Sequence, residues 1–157
     1  MLIRRRGGFA LIEMIVVVGL ISLLTYIGYP YYKVFMRNAA YRSAAREVAS
    51  IMRTARTEAI TMNREQNLDI DLENNQIRYQ GSTNKVSPLV DLCAASDPGD
   101  EADCSVTDGE INLRFYPNGT VNRALSICVL NSDGDHKFTT RLLFPTTGQV
   151  EIVRPQP

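Results

Sequence analysis

Arg4-Arg5-Arg6-Gly7-Gly8-Phe9-Ala10-Leu11-Ile12-Glu13-Met14 opens a run of apolar residues that continues almost unbroken to Tyr32. Tyrosines apart, Glu13 is the only side chain from Phe9 to Tyr32 that can carry a charge. About 20 apolar residues, each rising about 1.5 Å, cross a hydrocarbon core of about 30 Å, so the stretch predicts a membrane-spanning helix. The three arginines before it and the lone Lys33 after it orient the N-terminus to the cytoplasm and everything beyond to the outside. A secretory signal peptide shares the basic start, but its apolar core runs about 7–15 residues and ends at a small-x-small cleavage site. Tyr29-Pro30-Tyr31-Tyr32 closes this run without one. A plain single-pass anchor leaves Glu13 unexplained, because an acid at the centre of a membrane helix costs about 2.5–3.5 kcal/mol on insertion scales. Such an acid calls for a partner cation.

Gly8-Phe9-Ala10-Leu11-Ile12-Glu13 resembles the class III signal of type IV prepilins and type II secretion pseudopilins. The resemblance implies a prepilin peptidase that cuts between Gly8 and Phe9 and methylates the new amine, leaving N-methyl-Phe9 as the first residue. It also implies that Glu13 is the filament-assembly glutamate. The physical logic agrees: cutting creates an ammonium inside the bilayer, and a neighbour's Glu13 can neutralise it. Gly8 offers the flexible backbone a protease cleft needs. Pro30 falls where many pilins carry a helix proline. Residues 1–8 then read as a cleaved leader, 9–32 as the transmembrane part of a long helix and 33–157 as an extracytoplasmic head, one ordinary domain in size.

Formal net charge is zero but unevenly spread. Up to Gln66 there are ten Lys/Arg against four Asp/Glu, and from Asn67 onward seven against thirteen. Such asymmetry can signal nucleic-acid binding, but it equally suits heads packing on neighbouring helices in a filament, the reading preferred here. Pro30 removes one backbone donor and predicts a bend. Beyond it, Val48, Ile51, Met52, Ala55 and Ala59 recur at helical spacing, so an amphipathic helix is expected over 33–63. Arg42, Arg46, Arg53 and Arg56 line another side and read as a solvated face.

From Asn67 the period changes to two. Leu68, Ile70 and Leu72 alternate with Asp69, Asp71 and Glu73, Asn74-Asn75 makes a tight turn, and Ile77 and Tyr79 run back, which is a hairpin. Strands are further expected over 111–116, 125–130, 138–144 and 149–153, split by Pro117-Asn118-Gly119, Asn131-Ser132-Asp133-Gly134 and Pro145-Thr146-Thr147-Gly148. Asn118-Gly119-Thr120 also fits a glycosylation sequon. A long helix followed by a β-rich region over 67–153 gives an α+β architecture with antiparallel sheet.

The segment from Gly81 to Gly109 has little periodicity and reads as a long loop. It holds Cys93 and Cys104, and an extracytoplasmic location permits a disulfide. Three cysteines allow three pairings, of which Cys93–Cys104 is the most local; Cys128, in an apolar run, reads as a buried small side chain. No cofactor is expected. The Asp97–Asp103 loop and Asp133/Asp135 carry oxygen ligands suited to Ca²⁺, but neither follows the spacing of a calcium loop, so no metal residue is assigned. His136 is the one histidine, and no hydrolase, zinc, thioredoxin-like or phosphate-loop motif is present, so the chain does not read as an enzyme.

Within the head, Ala55-Arg56-Thr57-Glu58-Ala59-Ile60, Phe115-Tyr116-Pro117-Asn118-Gly119, Leu142-Leu143-Phe144 and Thr147-Gly148-Gln149-Val150 are similar to the GspH/FimT group of minor pseudopilins and pilins. That resemblance implies a minor pseudopilin of a type II secretion pseudopilus, or alternatively a minor pilin of a type IV or competence pilus. The implied partners are the prepilin peptidase, the inner-membrane assembly platform and the major and other minor subunits. Some pilin relatives take up DNA, but this tail carries only Arg154 as a cation, so little counterion release is available for nucleic acid.

Overall fold

The computed structural model describes residues 11–95, 104–131, 133–142 and 145–154. The chain divides into two compact units, one up to Arg37 and one from Asn38 onward. The first consists, among the described residues, of the start of helix α1 (Leu11–Thr61), with Pro30 inside the helix. Every described side chain before Asn38 is exposed, and the helix is long and apolar enough to cross a membrane. Two of its hydroxyls are satisfied internally: the Ser22 hydroxyl donates to the Val18 carbonyl and the Thr25 hydroxyl to the Ile21 carbonyl, both at 2.8 Å. That is the condition for a segment with no water to bond to. Lys33 sits 4.9 Å from the centre of the Tyr29 ring.

In the second unit α1 buries Tyr41, Ala44, Ala45, Val48, Ala49, Met52, Ala55 and Ala59. The expected stripe is there, except that Ile51 is only half-buried, and it is wider because five alanines share it. Alanine adds little bulk, so the helix backbone lies close to what it packs on. Asn63, at φ 50°, turns the chain out of the helix just after Thr61, where the expectation had it fade.

Two antiparallel four-stranded sheets follow, ordered β3-β2-β1-β5 and β4-β6-β7-β8. The first joins β1 (Gln66–Asp71), β2 (Gln76–Tyr79), β3 (Ser82–Lys85) and β5 (Glu110–Phe115). Leu68, Ile70, Ile77, Leu113 and Phe115 from its inner face are all but fully buried, each contributing about 1.5–3 kcal/mol of transfer free energy. The hairpin turns at Asn75, whose φ of 52° is the left-handed conformation asparagine tolerates. The second sheet joins β4 (Asp91–Ala94), β6 (Leu125–Leu130), β7 (His136–Leu142) and β8 (Glu151–Val153). Both sheets and α1 share one core, and the Thr140 hydroxyl of β7 donates to the Ala45 carbonyl of the helix at 3.1 Å.

The stretch from Gly81 to Gly109 differs from the expected long loop. It contains β3 and β4, and Ala94 pairs with Val106 in an isolated bridge. Val90, Leu92, Cys93, Ala94 and Ala95 are buried. The acidic loop Asp97–Asp103 lies outside the described residues.

Candidate functional site

Of the residues singled out in the leader, Gly8 and Phe9 lie outside the described residues. Glu13 is on α1, exposed, and Pro30 is on the same helix. Arg42 and Arg46 are exposed too, in keeping with a solvated face.

Arg53, exposed as well, and Arg56, half-buried, differ from them in reaching main-chain carbonyls of the loops. The Arg53 guanidinium donates from Nη2 to the Val150 carbonyl at 3.0 Å, and Arg56 donates from Nε to the Gly119 carbonyl at 3.2 Å. Gly119, at φ +81°, closes the turn after β5, where its N–H donates to the Tyr116 carbonyl at 2.9 Å. Gly148, at φ +57°, packs against the same place: a Cβ there would run into the Gly119 carbonyl oxygen and stand 2.9 Å from Arg56 Nε. A Cβ on Gly119 would stand 3.2 Å from Ile60 Cδ1. The Val121 N–H donates to the Pro145 carbonyl at 2.8 Å, tying the two turns directly. Two loops from different sheets are thus clamped to one turn of the helix, and only glycine fits at the crossing.

The other flank of that helix turn is fixed as well. The Tyr79 hydroxyl donates to Glu58 Oε2 at 2.5 Å, Gln80 Nε2 donates to the same carboxylate oxygen, and Gln66 Oε1 lies 3.4 Å from the Tyr79 hydroxyl. Burial, reinforced by the Glu58 carboxylate, holds the Tyr79 phenol well above its ordinary range, so it stays a proton donor. Beside it lies a shallow groove of about 380 Å³ lined in part by Ser50, Thr54, Glu58, Gln80 and Asn84. Within Ala55-Arg56-Thr57-Glu58-Ala59-Ile60, then, Ala55 and Ala59 enter the core, Arg56 holds one loop pair and Glu58 holds the β2 end.

Cys93 and Cys104 are bridged, with Cα atoms 5.6 Å apart. Cys128 is buried beside them, and the three sulfurs all lie within 4.8 Å of one another. Among the described residues this is the one group of three potential metal ligands. In the turn after β6, Asn131 Oδ1 accepts from the N–H groups of Asp133 and Asp135 at 3.1 and 2.6 Å. Asp135 is taken by Lys137 at 3.3 Å and by Asn131, in that order of effect, and both draw its carboxyl below the usual range.

Sequence reasoning placed the arginines on a helix face but could not see their acceptors, which are carbonyls 63 and 97 residues away. The only signal was that Arg56, Gly119 and Gly148 all fall in stretches carrying the family resemblance.

The fold of the head recurs in solved structures. The minor pseudopilin EpsH of the type 2 secretion system of Vibrio cholerae superposes with a TM-score of 0.55 at 12% identity, over 75% of this chain and 98% of that one. The type IV minor pilin FimU of Pseudomonas aeruginosa superposes with a TM-score of 0.52 at 17% identity, over 78% of this chain and 97% of that one. No curated protein sequence matches. These likenesses define a pilin-like fold, a long N-terminal helix packed on antiparallel sheet. Residues 44–143 match the family model described as "Type II transport protein GspH", and the chain belongs to that family of pilin-like structural subunits.

Proposed function

We propose that this chain is a minor pseudopilin of a type II secretion system, assembled with other pilin-like subunits into a periplasmic pseudopilus that drives protein export. The observation that carries the reading is the joining, in one chain, of an exposed apolar helix to a head matching the GspH model. The helix anchors the subunit in the inner membrane with the N-terminus cytoplasmic until assembly lifts it into the filament. The prepilin peptidase removes residues 1–8 and methylates Phe9. Glu13 neutralises the Phe9 ammonium of a neighbouring subunit, and the assembly platform feeds subunits to the base. The likeness to FimU favours a second reading, a minor pilin of a type IV pilus. Within either filament the head acts through its shape rather than through chemistry on a substrate.

Mass spectrometry of the membrane-extracted protein should find a chain starting at N-methyl-Phe9. Glu13→Leu should be inserted and cleaved but left out of filaments, insertion being easier without the charge. Recovery of intact Met1 from cells with an active prepilin peptidase sinks the processing step, and normal incorporation of Glu13→Leu sinks the assembly step. Deleting the chain should block export of folded proteins and leave surface pili intact. Loss of pili with export unaffected selects the second reading.

A further inference from the structure

Cys93 and Cys128 stand directly opposite each other in the β4–β6 ladder, so their side chains leave the same face of the sheet. Opposed residues of an antiparallel pair hold their Cβ atoms about 4.5–5.5 Å apart, close to the span of a disulfide. Both side chains are fully buried, and Cys93 Sγ lies 3.8 Å from the Cys128 carbonyl oxygen. Cys104 differs: it precedes the bridge formed by Val106, and it is the one partly exposed member of the three. Whichever two sulfurs are bonded, the third is within 4.8 Å of both.

We propose that Cys128 is an alternative partner for Cys93, so that the bridge migrates within the cluster from Cys93–Cys104 to Cys93–Cys128 and releases Cys104 as a reachable thiol. The step is thiol–disulfide exchange. The Cys128 thiolate attacks Sγ of Cys93, the Cys93–Cys128 bond forms as the Cys93–Cys104 bond breaks, and Cys104 leaves as a thiolate that takes up the proton Cys128 gave away. Electrons balance within the three sulfurs, so no oxidant or reductant is consumed. Strands β4 and β6 keep their pairing, because Cys93 and Cys128 already sit in register. The consequence is chemical: the migrated form presents one thiol at the surface, able to exchange with a partner's disulfide, such as that of an oxidised thiol–disulfide oxidoreductase. The original form presents none, since Cys128 is buried. The proposal concerns the head's own covalent chemistry and stands whether the filament is a pseudopilus or a pilus.

The test uses the full chain, purified in detergent under oxidising conditions, with N-ethylmaleimide as the probe. Aliquots held at pH 7 and pH 8.5 are alkylated in the native state and then mapped by non-reducing peptide mass spectrometry. The wild type should label at Cys104, faster at the higher pH because exchange runs through the thiolate, and a Cys93–Cys128 peptide should rise in step. Cys128→Ser should leave Cys104 at least tenfold less labelled. Cys104→Ser should be recovered with Cys93 joined to Cys128. Equal labelling of Cys104 in wild type and Cys128→Ser overturns the proposal, and so does a Cys104→Ser protein in which Cys93 and Cys128 are both alkylated once denatured.

Discussion

A single hydrogen at Gly148 decides whether two loops can meet on the helix. Its φ of +57° costs an L-residue roughly 1–2 kcal/mol in backbone terms alone. At this position a Cβ would also collide with the Gly119 carbonyl, the acceptor of the Arg56 hydrogen bond. Gly134 separates the two effects, because its φ is +83° but nothing lies within 4 Å of where its Cβ would be. Gly134→Ala should therefore show only the backbone cost, and Gly148→Ala should lower the melting temperature of the head by several degrees more. Equal losses in a thermal melt would mean that the crossing relaxes freely and that the arginine contact is incidental.

At the scale of elements, the β1–β2 hairpin is locked by one side chain. Asp71 accepts from the Asn74 N–H at 3.0 Å, from Asn74 Nδ2 at 2.9 Å and from Arg78 Nη2 at 2.9 Å, while Arg78 also reaches Glu110 at 2.8 Å. The Asn74 hydrogen bonds first, then the Arg78 charge, hold the Asp71 carboxyl below its ordinary value. A carboxyl depressed in the folded state stabilises the fold above its unfolded value of about 3.9, and that stability fades as pH falls through the lower folded value. Asp71→Asn should shift the urea midpoint of the head downward at pH 7, and much less at pH 3. A shift of the same size at both values would assign the effect to shape, not charge. This hairpin was legible in advance, since Leu68, Ile70 and Leu72 alternate with acids and Asn74-Asn75 marks the turn. So were β6, a continuous apolar run, and the buried stripe of α1. Strand β4 was not, because Asp91-Leu92-Cys93-Ala94 is too short to show a period between Pro88 and the acidic loop, and pairing with β6 decides it. The glycine–arginine clamp was invisible for a related reason. Each turn looks like any other turn until the fold brings them together, and hydrogen bonds to main-chain carbonyls leave no mark on the acceptor's residue type.

For the molecule as a whole, the clamp changes what its charge can do. Of the ten cations before Asn67, Arg53 and Arg56 donate to main-chain carbonyls and serve the packing of the head. Beyond Asn67, Arg78, Arg114, Lys137 and Arg141 each lie within 4 Å of a carboxylate. A phosphate backbone would have to compete with those carboxylates, and affinity for nucleic acid grows with the number of phosphates neutralised. The other exposed cations of the head come singly from separate elements, Arg64 after α1, Lys85 on β3, Arg123 before β6 and Arg154 after β8. That leaves Arg42 and Arg46 as the pair on the helix free of a loop carbonyl, too few to hold a duplex. A head starting at Asn38 should therefore show no binding to a labelled duplex tighter than about 10⁻⁴ M at physiological salt, the weak end of non-specific association. Fluorescence anisotropy across a salt series measures this directly. The control is the double variant Arg42→Ala/Arg46→Ala; changing Arg53 or Arg56 as well would loosen the loops and confuse folding with binding. Micromolar affinity that falls steeply with salt and disappears in that double variant would make this subunit a DNA-uptake pilin. A flat titration leaves the exposed face of α1 to protein neighbours.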